Sequence, residues 1–316
     1  MNKVVFIDTV HEILWERLEK KGFQCISAID LEEQSVKECI THAFGLVIRA
    51  RLQLNESSLK DCKQLKFIAR SGSGLENIDL DYCDRNGIAV FNSPEGNRNA
   101  VAEHGLGMLL SLFNKLIKAD NEVRNFIWDR EGNRGIELDG KTIGIIGFGN
   151  NGSVFAKKLK GFDCKILAYD KYKSGYSDNL VIESTLEDIF DQADVVSFHI
   201  PQNLETIYFL NDFFVTHMKK SFFLLNLSRG KIVQTSALVS GLKSGKILGA
   251  CLDVLEYENS CFSTSFEDSL PEDLKFLFQS DKVLLSPHVA GWTEESYYKL
   301  SSVLADKIEE KFCREN

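Results

Sequence analysis

Short apolar runs alternate with amphipathic stretches along the first 95 or so residues. The run VVFID, which begins at Val4, precedes a segment in which Leu14 and Leu18 recur at helical spacing, and the runs LVIRA, KFIAR and IAVFN follow at intervals. Apolar runs of strand length separated by helical segments are typical of a parallel sheet covered by helices. The pattern therefore predicts an α/β unit at the beginning of the chain.

A change of pattern follows this unit. Pro94, Gly96 and the polar residues after them interrupt the alternation and predict a crossing between two domains. From Ala100 to about Ile127 apolar residues recur at helical spacing, at first on more than one face. We expect a long and largely buried helical region there, part of which could face a second subunit.

A second α/β series opens at Thr142 with TIGIIG and continues through KILAYD, DVVSFHI, FFLLNL, LGACLDV and KVLLS. These runs are almost continuously apolar, as expected for strands covered on both faces. The chain ends in a helical segment, roughly Thr293 to Arg314, which we expect to pack back on the first domain. The predicted domains are 1–98 together with 293–316, and 99–292.

Composition narrows the possible partners. The 316 residues carry a net charge of −9, which disfavours nucleic acid and anionic membranes as partners. The eight cysteines form no CxxC pair and no metal-site spacing, so we expect free thiols and no metal. No signal peptide and no apolar stretch of membrane-span length are found, which favours a cytoplasmic location.

A glycine-rich sequence follows the TIGII strand and precedes a helical segment. It has the pattern GxGxxG, formed by Gly147, Gly149 and Gly152 with Asn150 and Asn151 between the last two. In a strand–turn–helix context these glycines allow a tight turn, close approach of a pyrophosphate and close helix–strand packing. A glycine-rich turn that binds no ligand is the alternative.

Asp170 makes a nucleotide more plausible than an empty turn. It ends the next predicted strand, 18 residues after Gly152, where a carboxylate accepts hydrogen bonds from the adenosine ribose hydroxyls. A carboxylate there repels a 2′-phosphate, so NAD is favoured over NADP. Lys171 and Lys173 follow closely and keep that preference moderate.

Three further motifs stand at predicted strand ends: NLSRG, LDVLEYE and SPHVAGW. The carboxyl ends of strands in a doubly wound sheet form the ligand crevice, so these residues are expected to converge. The motifs resemble those of the D-isomer-specific 2-hydroxyacid dehydrogenases, and the resemblance extends through RSGSGLENID, GNRNAVAEH, ELDGKTIGIIGFGNNG and HIPQNLET. It implies an α/β chain of two Rossmann-like domains, a flavodoxin-like substrate domain and a doubly wound NAD-binding domain, with an interdomain active-site cleft.

The resemblance also assigns catalytic roles. Arg229 matches the arginine that binds the substrate's carboxylate and carbonyl oxygen, for which a rigid guanidinium fork is suited. His288 matches the acid/base residue and Glu258 the carboxylate that orients its ring, with Glu256 as a nearby competitor. The family usually has proline where Asn259 stands, and an insertion is expected between Asn259 and Asp273. Arg229 could instead cap a helix or pair with a surface acid.

Binding residues follow in the same way. Asp253 matches a residue near the nicotinamide carboxamide, with helix capping as the alternative. The other cofactor contacts implied outside the glycine turn and Asp170 are His199, Ile200, Pro201, Thr206, Leu227, Ser228, Ala290 and Gly291. The implied substrate contacts are Arg49, Ser71, Gly72, Ser73, Gly74 and Asn97. The loop at Ser71 could also be a plain turn, and Arg49 a surface charge.

Within the family the resemblance is strongest to members that oxidise 3-phosphoglycerate in serine synthesis. Reduction of hydroxypyruvate or glyoxylate is the nearest alternative, and an NAD-sensing binding protein of the corepressor type is a more distant one. The family also implies a homodimer through the NAD-binding domain. The chain leaves no room for a carboxy-terminal regulatory domain, so serine feedback through such a domain is not expected.

Overall fold

The computed structural model describes residues 1–258 and 270–313. The described residues form two compact units, the first made of 1–98 and 292–313 and the second of 99–258 and 270–291. In the described part of the chain, no helix has both the length and the apolar character needed to cross a membrane.

The first unit is built on a parallel sheet of five strands among the described residues. In chain order the strands are β1 (Lys3–Phe6), β2 (Gln24–Ser27), β3 (Gly45–Ile48), β4 (Phe67–Arg70) and β5 (Ala89–Asn92). Their order in the sheet is β2-β1-β3-β4-β5, and Val5 of the central strand pairs with Ile26 on one side and Leu46 on the other. Buried side chains cover both faces, since Val5 and Val4 belong to separate apolar clusters.

Helices connect these strands. They are α1 (Glu12–Lys20), α2 (Glu33–Ile40), α3 (Glu56–Leu59) and α4 (Leu80–Arg85). Each of the longer helices buries a narrow stripe, as Leu14 and Leu18 do in α1. The predicted helical spacing of these two leucines is confirmed.

The helix after the first sheet begins earlier than predicted. α5 (Pro94–Phe113) includes both Pro94 and Gly96, which we expected to break the pattern. Proline is tolerated in the first helical turn, where its missing N–H group has no intrahelical partner in any case. The predicted long helix is also interrupted: Lys115 has a φ of +52°, and a separate helix α6 (Leu116–Arg124) follows.

The second unit contains a parallel sheet whose described strands number seven. They are β6 (Thr142–Ile146), β7 (Lys165–Tyr169), β8 (Val181–Glu183), β9 (Val195–Phe198), β10 (Phe222–Asn226), β11 (Ile247–Leu252) and β12 (Val283–Leu285). The order β12-β11-β10-β9-β6-β7-β8 reverses its direction at β6, which lies between β7 and β9. This is the predicted doubly wound topology, and ligands of such sheets bind at the reversal point.

Helices cover both faces of this sheet. They are α7 (Asn150–Lys158), α8 (Leu186–Gln192), α9 (Asp212–His217), α10 (Thr235–Ser244) and α11 (Glu272–Gln279). Phe198 and Phe155 belong to separate buried clusters on the two sides. The near-continuous apolar character of the strands is thus accounted for, because both of their faces are buried.

The last helix, α12 (Glu294–Phe312), packs on the sheet of the first unit. Its first turn is closed by a capping box between Thr293 and Ser296. Leu304 and Ile308 are buried in the same cluster as Val4.

Candidate active site

The glycine turn after β6 has no room for side chains at two positions. Gly147 has a φ of +95°, and a Cβ atom there would lie 2.6 Å from the carbonyl oxygen of His199. A Cβ atom on Gly152 would lie 2.0 Å from the carbonyl oxygen of Gly147. The first and third glycines are therefore required by the close packing of turn, helix and neighbouring strand.

The middle of the turn leaves a helix N-terminus open. Gly149 is the N-cap of α7, where no side chain supplies a capping hydrogen bond among the described residues. Within the same part of the chain, a Cβ atom on Gly149 would contact nothing within 4 Å, and the buried amide oxygen of Asn151 has no partner. The free N–H groups of a first helical turn bind phosphates, so these residues fit the diphosphate of a dinucleotide.

Asp170 stands at the end of β7 and holds the turn in place. Its carboxylate accepts hydrogen bonds from the backbone N–H groups of Phe148 (2.8 Å), Tyr172 (3.0 Å) and Lys173 (3.1 Å). The side chain remains half-buried, so part of it is accessible to a ligand. Its predicted contact with a ribose stays a prediction, but its support of the turn is visible.

The lysines beside Asp170 are engaged by other groups. Lys171 Nζ lies 2.7 Å from Glu205 Oε2, which also accepts a hydrogen bond of 2.6 Å from the hydroxyl of Tyr172. Lys171 holds the pKa of Glu205 below its ordinary value. Sequence reasoning missed Glu205, and the only signal for it was its place in the HIPQNLET segment.

His199 packs beneath the glycine turn in a neutral state. Its Nε2 lies 2.8 Å from the hydroxyl of the buried Ser197, and its ring packs 5.2 Å from that of Phe155. Burial lowers the pKa of His199 to about 3. A ring that stays neutral at working pH supports the prediction that this histidine does no acid/base chemistry.

The three catalytic motifs follow three adjacent strands. Asn226, Leu252 and Leu285 end β10, β11 and β12, and they lie in register. The loops beyond them are joined by backbone hydrogen bonds, from Asp253 N–H to Asn226 O at 3.1 Å and from Ser286 N–H to Leu252 O at 3.0 Å. The motifs thus lie side by side at the carboxyl edge of the sheet.

His288 and Glu258 are in direct contact. His288 Nδ1 lies 3.0 Å from Glu258 Oε2, and both side chains are mostly buried. His288 has a φ of +54°, and its N–H group donates to the carbonyl oxygen of Asp253 at 2.8 Å. When Nδ1 donates to the carboxylate, Nε2 carries the lone pair of the neutral ring and is the nitrogen that can accept a proton.

Glu256, the competing carboxylate, has a different set of partners. It accepts hydrogen bonds from the hydroxyl of Tyr208 at 2.7 Å and from the N–H group of Thr235 at 2.8 Å. Thr235 begins α10, so Glu256 caps that helix. Of the two carboxylates, Glu258 is thus the one that contacts the imidazole. Most of the predicted insertion, residues 259–269, lies outside the described residues.

Arg229 is presented by a loop that Asn226 holds from within. The side chain of Asn226 accepts from the N–H group of Ser228 at 3.1 Å and donates to the carbonyl oxygen of Arg229 at 3.0 Å. A Cβ atom on Gly230 would lie 1.8 Å from the carbonyl oxygen of Leu255. The arginine is half-buried, and its Nη1 donates a hydrogen bond of 2.7 Å to the carbonyl oxygen of Ser228.

Asp253 supports the backbone around His288. It is only 1% exposed and accepts hydrogen bonds from the hydroxyl of Ser286 (2.6 Å) and the N–H groups of Val289 (2.9 Å) and Ala290 (2.8 Å). His104 Nε2 lies 3.0 Å from the Ser286 hydroxyl. Sequence reasoning missed Ser286 as a support, and the predicted contact of Asp253 with nicotinamide stays a prediction.

Several other predicted cofactor residues have their side chains engaged in the fold. Leu227 is buried in the core, where it lies near Gly105 of α5, so it can offer only its backbone to a ligand. The Thr206 hydroxyl donates to the carbonyl oxygen of Pro201 at 2.6 Å, and Ile200 packs against Gly147. Gly291 is half-buried and follows the backbone segment that Asp253 binds.

The predicted substrate contacts lie at the carboxyl edge of the other sheet. Two hydrogen bonds hold the loop after β4. The Gly72 N–H group donates to Ser93 Oγ at 3.3 Å, and the Ser73 hydroxyl donates to Asn97 Oδ1 at 2.9 Å. Gly72 has a φ of +151°, a backbone conformation that favours glycine. Gly74 lies in the same loop, and Arg49 follows the neighbouring strand β3.

A doubly wound sheet with a glycine turn at its reversal point defines the dinucleotide-binding class of α/β proteins, and the histidine–carboxylate pair adds an acid/base group at the strand ends. Residues 106–290 match the family described as D-isomer specific 2-hydroxyacid dehydrogenase, NAD binding domain. The chain belongs to this family.

The relatives of the chain carry several names. It is 32% identical to a D-3-phosphoglycerate dehydrogenase of Synechocystis sp., and the match covers 98% of this chain and 54% of the relative. It is also 32% identical to a glyoxylate reductase of Pyrococcus furiosus, where the match covers 88% of this chain and 82% of the relative. The chain spans about half the length of the curated phosphoglycerate dehydrogenases it matches first. A solved D-lactate dehydrogenase from Aquifex aeolicus, complexed with NAD and lactic acid, superimposes with a TM-score of 0.83 at 26% identity, covering 98% of this chain and 95% of that one.

Proposed function

We propose that the chain catalyses the reversible NAD-dependent oxidation of a D-2-hydroxy acid to its 2-keto acid. The observation that carries this proposal is the 3.0 Å contact between His288 Nδ1 and Glu258 Oε2, on loops that follow adjacent strands of an NAD-binding domain. A histidine whose Nδ1 is held by a carboxylate is suited to general acid/base catalysis at Nε2. Small 2-hydroxy and 2-keto acids are the substrates of the family.

The roles of the side chains follow from their chemistry. NAD would be held by the glycine turn between β6 and α7 and by Asp170, and when bound it would supply the acceptor for a hydride from the substrate carbon. Arg229 binds the carboxylate and the reacting oxygen with its planar fork of donors. His288 Nε2 takes the hydroxyl proton, and Glu258 orients the ring and stabilises the imidazolium that forms. Asp253 keeps the backbone of this loop in place.

The preference for NAD rests on charge. Asp170 and Glu205 place two carboxylates beside the glycine turn, and Lys171 is paired with Glu205. Lys173 adds a second cation, whose Nζ donates to the carbonyl oxygen of Phe148 at 3.3 Å. The preference therefore depends on Asp170, to which ribose hydroxyls can donate and which repels a 2′-phosphate.

The substrate we propose is 3-phosphoglycerate, with the step placed in serine synthesis. Arg49 supplies a guanidinium for a phosphate, and Ser73 and Gly74 supply backbone N–H groups for a carboxylate. The N–H groups of Ser71 and Gly72, which were also predicted to bind the carboxylate, already donate to the carbonyl oxygen of Ile48 (2.9 Å) and to Ser93 Oγ (3.3 Å). Asn97 contributes through its contact with Ser73. Hydroxypyruvate or glyoxylate is the second candidate, because relatives bearing those reductase names match the chain as closely as the phosphoglycerate dehydrogenases do.

Steady-state kinetics test these proposals. The purified chain is assayed for reduction of 3-phosphohydroxypyruvate, hydroxypyruvate, glyoxylate and pyruvate with NADH and with NADPH. We expect the highest kcat/KM for the phosphorylated substrate with NADH. Equal values for phosphorylated and unphosphorylated substrates would refute the substrate assignment, and absence of turnover with NADH bound would favour the NAD-sensing alternative.

We also propose a cytosolic homodimer formed through the NAD-binding unit. Phe126 is 99% exposed and Trp128 80% exposed in the segment that follows α6, a helix in which Leu116 and Ile117 are also exposed. Ile117 also lines a groove of about 840 Å³, together with Leu112 and Phe278. Exposed aromatic residues in this number are typical of protein interfaces.

A further inference from the structure

The main chain of Arg49 is held from three directions. Its N–H group donates to Asp8 Oδ2 at 2.5 Å. Its carbonyl oxygen accepts hydrogen bonds from Arg70 Nε at 3.2 Å and from Asn77 Nδ2 at 3.3 Å. The Cα position of this residue is therefore fixed at the carboxyl end of β3, while none of these contacts orients the side chain.

One aromatic ring orients the guanidinium. Arg49 Cζ lies 4.2 Å from the centroid of the Trp292 ring, a distance at which cation and ring attract each other. Within the described ranges no carboxylate or carbonyl oxygen accepts a hydrogen bond from the guanidinium N–H groups. The indole itself packs edge-on against Tyr297, with centroids 5.5 Å apart.

The group keeps its charge in this setting. Burial lowers the pKa of the Arg49 guanidinium from its ordinary value, and the nearby Asp8 carboxylate opposes that effect. A guanidinium remains protonated at any working pH. The ring covers one face of the cation, so N–H donors at its edge stay available for an anion.

We propose that Trp292 is a positioning residue that holds the Arg49 guanidinium ready for a second anionic group on the substrate, and so sets the selectivity for phosphorylated over unphosphorylated acids. The inference rests on the proposed function, in which Arg49 binds that group. An arginine fixed before binding loses less rotamer freedom when it pairs with a phosphate. The benefit is confined to substrates that carry the phosphate.

Removal of the aromatic face tests the inference. Trp292→Leu is assayed with 3-phosphohydroxypyruvate and with hydroxypyruvate at saturating NADH. We expect KM for the phosphorylated substrate to rise roughly fivefold, since a partly exposed cation–aromatic contact is of that order. KM for hydroxypyruvate, and kcat for both substrates, should stay within about twofold, because no group that acts in the reaction is removed.

Three further variants complete the set. Trp292→Phe keeps a ring and should retain most of the selectivity, whereas Trp292→Met keeps volume without a ring and should behave like Trp292→Leu. Either variant decides the question if Trp292→Leu does not fold. The matched control is Tyr298→Leu, which removes an exposed ring of α12 that packs on His11 instead of Arg49 and should leave the selectivity unchanged.

Arg49→Met separates this inference from the proposed function. If Arg49→Met lowers the preference for the phosphorylated substrate and Trp292→Leu does not, the role of Trp292 is refuted while the substrate assignment stands. If Arg49→Met leaves the preference unchanged, Arg49 does not bind the phosphate and both assignments fail. In the double variant, loss of Trp292 should have no further effect, because the cation it orients is gone.

Discussion

At the scale of single residues, the position of His288 in the second unit depends on hydrogen bonds to Asp253 and on a contact with Glu258. Asp253 binds the N–H groups of Val289 and Ala290, and its own carbonyl oxygen accepts from His288. These bonds hold His288 in a left-handed conformation that non-glycine residues rarely adopt. Glu258 then contacts the imidazole Nδ1, so backbone and ring are each held by a separate carboxylate.

Substitution of the pair should separate catalysis from cofactor binding. We expect His288→Gln to lower kcat by roughly a thousandfold, because the proton acceptor is lost, and Glu258→Gln to lower it less. The dissociation constant for NADH, measured by fluorescence titration, should change little in either variant. Glu256→Gln is the control, since Glu256 caps α10, and it should retain most of kcat. A wild-type kcat in His288→Gln would refute the acid/base assignment.

The buried His199 is expected to make the free energy of unfolding depend on pH. With its pKa lowered to about 3 by burial, it stays neutral in the folded state, whereas in the unfolded chain it binds a proton near pH 6.5. The unfolded state therefore binds more protons between these values, and stability falls as pH decreases below about 6.5. The loss is complete only near pH 3.

This linkage predicts a pH-dependent difference between wild type and His199→Asn. Between pH 7 and pH 5.5 the wild type should lose about 1 kcal/mol of unfolding free energy that the variant does not lose. Calorimetric Tm values of both proteins at the two pH values measure the difference. The contribution of buried carboxylates to the pH dependence is the same in both proteins, so it does not affect the comparison. Parallel pH profiles would show that His199 is protonated in the folded state.

At the scale of elements, the approach of α12 to α5 depends on one missing side chain. A Cβ atom on Gly96 would lie 2.7 Å from the backbone nitrogen of Leu300 and 2.8 Å from its Cα. Backbone atoms cannot move aside as a flexible side chain can. The helices can approach this closely only because Gly96 has no side chain, although in the sequence it resembles a helix breaker.

Two glycine substitutions in the same helix should have opposite effects. Gly96→Ala should destabilise the chain by about 1–3 kcal/mol, because overpacking forces backbone shifts. Gly107→Ala, at an exposed α5 position where the described residues leave a Cβ atom without neighbours within 4 Å, should stabilise by up to about 1 kcal/mol. Thermal unfolding of the two variants measures the contrast, and an equal effect of both would contradict the close packing.

At the scale of the whole molecule, the distribution of apolar surface matters more than the overall charge. The net charge of −9 keeps copies of the chain apart, whereas the exposed segment around Phe126 and Trp128 favours their association. The proposed dimer therefore depends on a local apolar contact that outweighs a general repulsion.

The combined variant Phe126→Ser/Trp128→Ser should shift the chain from dimer to monomer. Light scattering coupled to size-exclusion chromatography should give a mass close to 36 kDa for the variant and twice that for the wild type. Leu204→Ser, which changes a residue of the same unit that is 95% exposed, is the matched control and should leave the mass unchanged. A monomeric wild type would refute the proposed dimer.

The sequence by itself determined the two parallel sheets and the glycine turn. Strand-length apolar runs specify which segments are buried, and GxGxxG is readable because only glycine fits its first and third positions. Two motifs also located His288 and Glu258 close to strand ends, although the chain pattern left Glu256 as a competitor.

Only the tertiary structure decided which partner each of several charged side chains contacts. It assigned Glu256 to Tyr208 and Thr235, Lys171 to Glu205, and the Arg49 guanidinium to Trp292. It also placed Pro94 and Gly96 inside a helix. The reason is physical: the local pattern reports which structure a segment can form by itself, whereas contacts between residues tens to hundreds of positions apart are set by how strands and helices pack together.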